Sequence, residues 1–262
     1  MNPWTNNIKN SKRVGSEKTK FLSGLLLDFL FPRSCPACGS PLPIPSDLPL
    51  CNSCMAHVEP IDGAICLKCG VPFSSKNSPN HLCSLCIKNK NSLDWIRSFF
   101  IYSDPIATLV KRLKYHGDSS CLNALLKLSK PHLIRLMEDI PFGSDGLLHK
   151  TCIIPVPLHP KRLKRRLFNQ SLLIAKGLFD HVPICLDLVE RDIDNPPQTS
   201  LSLSERKKNV RGVFKIKKLD GSKNFLLIDD VMTSGSTLNE LARTLKNHGA
   251  RGIAALTIAR TV

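Results

Sequence analysis

The sequence predicts an α/β fold built on a parallel sheet, preceded by a small cysteine-rich segment held together by metal. Three observations carry that reading. From residue 152 onward, short β-branched runs alternate with helical runs, the pattern of a parallel sheet with helices on both faces. Between residues 35 and 86, eight of the eleven cysteines fall into four CxxC pairs. Near the C-terminus an apolar run, FLLI, leads straight into Asp229 and Asp230 and then into a loop of Thr, Ser and Gly.

The chain of 262 residues suffices for one good-sized core and an accessory module, and at 42% apolar residues most of it should fold. The net charge of +16 suits a polyanion: nucleic acid, an acidic membrane face or a polyphosphorylated small molecule. A Lys-rich surface that merely aids solubility is the plainer alternative. The first twenty residues are polar and basic, without the apolar stretch of a secretory signal. Residues 21–31, FLSGLLLDFLF, read as an amphipathic helix ended by Pro32, far short of the roughly 20 residues of a membrane span. The expected compartment is therefore cytoplasmic and reducing, where disulfides are rare. Cys121, Cys152 and Cys185 lie in apolar stretches and read as buried hydrophobes. The organisation expected is a polar tail and amphipathic helix (1–33), a double zinc ribbon (34–90) and a phosphate-ligand domain (91–262).

In the ribbon the pairs are Cys35/Cys38, Cys51/Cys54, Cys66/Cys69 and Cys83/Cys86. Each pair sets two thiolates on one tight turn, and two such turns complete a tetrahedral site for Zn2+. All-thiolate ligation leaves no open position, so two structural zinc ions are expected, supplying folding energy to a segment too small for a core of its own. A redox relay would not need the repeated spacing, and Fe–S clusters use less regular runs. His81, beside the last pair, reads as a surface residue. Ribbon and domain should then draw their stability from separate sources.

Past a polar linker at residues 88–94, residues 103–118 read as a helix capped by Ser103 or Asp104 and ended by Gly117. A second helical run covers about residues 120–138. CIIPVP (152–157) is a buried strand, followed by a basic loop with Lys164, Arg165 and Arg166, and then by a helix, SLLIAKGLF. A short strand candidate lies near residue 185. Residues 191–212 form a long polar loop carrying Arg206, Lys207 and Lys208. FLLI is the next strand, TLNELARTLKNHGA a helix, and GIAALTIA the last strand.

Ligands of such sheets sit beyond the carboxyl ends of the strands, where Asp229 and Asp230 are expected. The N–H groups of Thr233, Ser234, Gly235, Ser236 and Thr237, at the start of a helix, make an anion nest for a phosphate monoester. The carboxylates would repel that phosphate but suit hydroxyl donors attached to it. A ribose 5-phosphate meets both demands.

FLLIDDVMTSGST resembles the PRPP-binding motif of type I phosphoribosyltransferases. Taken with CPACG and CNSC, LVKRLKYHGD, IIPVPLHPKRLKRRLFNQ and the stretch from Gln198 to Phe214, it resembles the ComF family over about residues 20–260. That resemblance implies a zinc-ribbon segment joined to a type I phosphoribosyltransferase-like domain and a link to competence, the uptake of single-stranded DNA, with a helicase partner. Leu167 stands where the family usually has Gly, and Asn195 where Thr is common.

The implied function is PRPP-dependent phosphoribosyl transfer, a pentosyl glycosyltransferase reaction, to an unknown acceptor. Asp229 and Asp230 would hold the ribose hydroxyls, residues 233–237 the 5-phosphate, and Lys164, Arg165 and Arg166 the Mg2+-neutralised pyrophosphate, while Arg206 belongs to a loop that closes over the site. A solvated charged loop is the plain alternative for both basic segments. The alternative function is a non-catalytic competence factor that binds single-stranded DNA or a helicase.

Overall fold

The computed structural model describes residues 33–43, 47–75, 78–88, 91–140, 151–179, 181–194, 210–217, 219 and 223–262. The expected helix at residues 21–31 and the loop residues Asn195, Arg206, Lys207 and Lys208 lie outside them.

Four parallel strands form the main sheet: β1 (Trp95–Ile101), β2 (Thr151–Pro155), β5 (Asn224–Met232) and β6 (Gly252–Arg260), in the order β1-β6-β5-β2. The two central strands are nearly continuous apolar runs, as a sheet covered on both faces requires; all nine residues of β6 are buried. Helices α3 (Ile106–His116), α4 (Ser119–Glu138) and α6 (Gln170–Leu178) pack on one face around Leu226, Ile228 and Leu256. Helix α7 (Ser236–Asn247) covers the other, with Leu238, Leu241 and Leu245 against Phe225, Leu227 and Ile253. A small antiparallel pair, β3 (Val189–Arg191) and β4 (Phe214–Ile216), flanks that second face.

Local chemistry explains most boundaries. Helix α3 ends at Gly117 in the left-handed conformation, and Asp104 accepts the Thr108 N–H at 3.1 Å at its start. Asn169 caps α6 by accepting the Ser171 N–H at 2.9 Å. The basic segment expected as a loop is instead a short helix, α5 (Pro160–Arg166), because His159 caps it and Pro160 occupies its first position. Its C-cap is Leu167, at φ 66°. A side chain in the left-handed region meets its own carbonyl, a crowding that Gly would avoid.

Two further findings depart from expectation. Strand β1, WIRSFFI, was not foreseen, because Arg97 and Ser98 break its apolar run, yet both are buried. Cys152 and Cys185, expected as buried hydrophobes in a chain without disulfides, are joined as a disulfide with Cα atoms 6.1 Å apart. The cause is the path of residues 183–185 along β2: Ile153 N–H donates to Pro183 O at 2.9 Å and Cys185 N–H to Ile153 O at 2.8 Å. Cys121 is buried and free, as expected.

The cysteine-rich segment carries helices α1 (Asn52–Ala56) and α2 (Ser84–Lys88). Cys35, Leu42 and Leu50 belong to the same buried cluster as Phe100, Leu109 and Leu125. Ribbon and sheet domain therefore share a core, contrary to the expectation of separate stability.

Candidate functional site

Strand β5 runs beside β2 as far as Ile228 and beside β6 as far as Met232. The carboxylates thus lie within β5, one and two residues past the end of β2, rather than after the strand. The chain leaving β2 passes through α5 to α6 on one face, and the chain leaving β5 enters α7 on the other. This is a point where the sheet's connections diverge, the place where such sheets take their ligands.

Asp229 is half-buried at the N-terminus of α6. Its Oδ1 accepts Ser171 Oγ at 3.0 Å and the Asp230 N–H at 2.9 Å. Asp230 is 4% exposed; its Oδ1 accepts the Val231 N–H at 2.7 Å and its Oδ2 lies 3.3 Å from Lys114 Nζ. Burial, then the neighbouring charge of Asp230, pushes the Asp229 carboxyl up to about 7. The same pair acts oppositely on Lys114, whose ammonium is held above its ordinary range by the charge of Asp230. A carboxylate poised this way gains from any ligand that brings hydrogen-bond donors.

Just beyond, Gly235 caps α7 in the left-handed conformation at φ 69°, which lets Ser236 begin the helix and bares its N–H groups. Ser234 Oγ and Ser236 Oγ stand 2.9 Å apart, and the Ser236 N–H points at Ser234 Oγ at 3.4 Å. Thr233 is exposed; Thr237 is half-buried in the first turn. Free N–H groups, paired hydroxyls and a helix dipole together suit a dianionic phosphate.

The expected basic residues divide. Arg166 is half-buried, with its guanidinium 5.5 Å from the centre of the Tyr115 ring and its Nη1 donating to Gln170 Oε1 at 3.5 Å. Lys164 and Arg165 are exposed on α5. The structure thus brings Asp229, Asp230, residues 233–237 and Arg166 into one region, with Arg206 outside the described residues. Sequence reasoning missed Lys114 and Ser171, which reach the acids from α3 and α6. The only available signal was LVKRLKYHGD, whose Lys114 is the third cation of a basic run.

The cysteines form two clusters, Cys35/Cys38/Cys51/Cys54 and Cys66/Cys69/Cys83/Cys86, in each of which all four sulfurs lie within 4.8 Å of one another. Four sulfurs at about 2.3 Å from one Zn2+ stand about 3.8 Å apart. Cys38 and Cys51 sulfurs are 3.6 Å apart, and those of Cys69 and Cys83 3.8 Å. Both clusters therefore fit a structural zinc ion. Gly70 closes the turn after Cys69 at φ 66°, where a Cβ would fall 2.6 Å from Ile96 O, so only Gly lets this turn sit on β1. His81 is exposed and stacks on Phe73 at 4.0 Å, outside the ligand set.

Comparison with known proteins agrees with this division. Residues 26–87 match the double zinc ribbon domain and residues 169–261 the phosphoribosyl transferase domain. The chain is 27% identical to the DNA utilization protein YhgH of Escherichia coli (strain K12), over 88% of this chain and 98% of that protein. It is 29% identical to competence protein F of Haemophilus influenzae, over 80% and 90%. It is 28% identical to competence protein ComFC of Bacillus subtilis, over 82% and 85%. A solved hypoxanthine phosphoribosyltransferase from Staphylococcus aureus aligns over 51% of this chain and 61% of its own at 18% identity, with a TM-score of 0.30, too slight a likeness to argue from. Among the described residues no helix is long and apolar enough to cross a membrane.

Proposed function

We propose that this chain, a member of the ComF family by its double zinc ribbon, its phosphoribosyltransferase domain and its near-full-length relatives, binds PRPP at the end of β5 and transfers its phosphoribosyl group to an acceptor. The observation that carries this reading is the Asp229–Asp230 pair set directly before the bare N–H groups of α7.

The division of labour follows from charge. The 5-phosphate takes the N–H groups and hydroxyls of residues 233–237. The ribose 2- and 3-hydroxyls donate to Asp229 and Asp230. Lys114, freed from Asp230 by those donors, and Arg166 stand on the side where pyrophosphate departs. Mg2+, when bound with PRPP, neutralises that leaving group. As the C1–O bond breaks, positive charge grows on the ribose, and the two carboxylates beside it stabilise that charge. Binding requires both acids ionised, and a raised Asp229 is costly to ionise until the ligand arrives. Calorimetry with PRPP and Mg2+, on the wild type and on Asp229→Asn/Asp230→Asn, tests the site. A pyrophosphate-release screen over nucleobases then tests transfer. No binding heat from the folded wild type would falsify the proposal.

A second reading, a non-catalytic factor that handles single-stranded DNA, has one structural observation in its favour. Single strands stack on exposed aromatics beside cations. Phe214 is 4% exposed and Phe168 packs on Gly117, but Tyr115 is 64% exposed beside Arg166. Relatives named for DNA utilization and competence point the same way. Tyr115→Ala separates the readings: lost affinity for an oligothymidine with PRPP binding intact favours DNA.

A further inference from the structure

Two arginines lie buried against the second cysteine cluster. Arg97, on β1, is 4% exposed, and Arg260, at the end of β6, is 5% exposed. Arg97 donates Nη1 and Nη2 to Leu67 O at 3.2 Å each, and Nη1 also to Ile96 O at 2.8 Å. Arg260 donates Nη1 to Cys69 O at 2.5 Å. Two of these three acceptors belong to the turn between Cys66 and Gly70. The Nε of each guanidinium has no partner, and among the described residues neither forms an ion pair with a carboxylate. The Trp95 ring, itself 2% exposed, lies 4.8 Å from the Arg97 guanidinium.

Arginine keeps its proton inside proteins, so it cannot escape burial by turning neutral. A buried charge without a counter-charge costs several kcal/mol. The concentrated anion beside these two is the cysteine cluster: four thiolates around one Zn2+ carry a net charge of about −2, which two guanidiniums match. Burial weakens both guanidiniums; at Arg97 the charge of Asp139, which does not pair with it, and then Cys66 and Cys69 act the other way, and at Arg260 Cys69 and then Cys66 do. Among the described residues no buried arginine sits against the first cluster. The arginine that touches it, Arg112, has a side chain 44% exposed and is paired with Asp118 at 2.9 Å.

We propose that Arg97 and Arg260 are the counter-charges of the second zinc centre, so that metal held by Cys66, Cys69, Cys83 and Cys86 secures the β1–β6 edge of the sheet by charge, as metal at the first centre does not. Emptying the second centre leaves two cations stranded in the sheet edge, with protonated thiols where the anion was. Emptying the first leaves only exposed or already paired charge.

The full chain carries two tryptophans, Trp4 and Trp95, so a Trp4→Phe background makes emission report on β1. Zinc is withdrawn with a chromogenic chelator, and the emptied centre is identified by alkylation of its cysteines and peptide mass spectrometry. The expected result is a Trp95 emission shift that tracks exposure of Cys66, Cys69, Cys83 and Cys86 and exceeds any shift on exposure of the first four. Arg97→Met and Arg260→Met should speed zinc loss from the second centre by about 10-fold to 100-fold relative to the first, the scale of lost outer-shell partners. Arg97→Lys and Arg260→Lys, which keep the charge, should retain slow release. An emission signal unmoved by loss of the second zinc overturns the proposal in the wild type, whether or not the variants fold. Equal acceleration of both centres in the Met variants overturns the charge assignment.

Discussion

Negative charge is gathered at two places in this protein, the Asp229–Asp230 pair and the second cysteine cluster, and the two are balanced in different ways. The acids lie where the sheet's connections diverge, share one half-buried lysine, and leave Asp229 raised to about 7, so their balance is incomplete until donors arrive. The cysteine cluster fits an ion of its own and has two buried arginines against its turn. Incomplete compensation at a strand end marks a place for a ligand; complete compensation in a closed site marks a part of the scaffold. The same contrast explains why Lys114 and not an arginine faces the acids: a flexible ammonium is more readily displaced than a fixed guanidinium fork.

The strongest test of that contrast is to empty each site. Chelating both zinc ions should lower the thermal midpoint by more than about 10 °C, since structural zinc contributes folding energy outright. Changing Asp229 and Asp230 together to Asn should leave the midpoint unchanged or raise it, because crowded site carboxylates oppose folding. Scanning calorimetry on the two samples measures both. A double Asn variant that loses as much stability as the zinc-free protein would erase the distinction.

Ligand affinity should show the reverse order. The double Asn variant is expected to bind PRPP at least about 100-fold more weakly, since two hydrogen bonds to charged groups are each worth about 1.5–3 kcal/mol. Arg166→Ala should weaken pyrophosphate more than ribose 5-phosphate, and more than Arg165→Ala does, because Arg166 is the half-buried one of the two. Equal losses for the two ligands would misplace the pyrophosphate side.

The incomplete balance at the acids also has a pH signature. Because the Asp229 carboxyl titrates near 7 in the folded chain and near its ordinary value of about 4 unfolded, the native state holds an extra proton between those limits. The stability this adds is fully present below about pH 4 and is lost as pH rises through about 7. Urea unfolding at pH 5 and pH 8 should therefore show Asp229→Asn gaining about 1–3 kcal/mol on the wild type at the higher pH. A constant difference would show that Asp229 ionises normally. The smallest effect expected is at Leu167: Leu167→Gly relieves the left-handed backbone and should raise stability by about 1 kcal/mol, read from the urea midpoint.

Sequence alone determined what is contiguous. The four CxxC pairs, the apolar run into two acids, and the Thr-Ser-Gly-Ser-Thr loop each carry their chemistry within a few residues, so the zinc ribbon and the phosphoribosyl transferase domain were legible at once, and with them a candidate site. The helices α3, α4, α6 and α7 and the strands β2, β5 and β6 were readable for the same reason, since caps and apolar periods are local signals. Tertiary structure decided the partners. Lys114 meets Asp230 across 116 positions, counted from their residue numbers, and Ser171 meets Asp229 from a third element. Cys152 meets Cys185 because a loop runs beside β2. Arg97 looked like an interruption in an apolar run, and its burial makes sense only once β1 lies beside β6 and beneath the Cys66–Cys69 turn. Charge compensation is a property of neighbours in space, and the chain states its charges without stating which of them will meet.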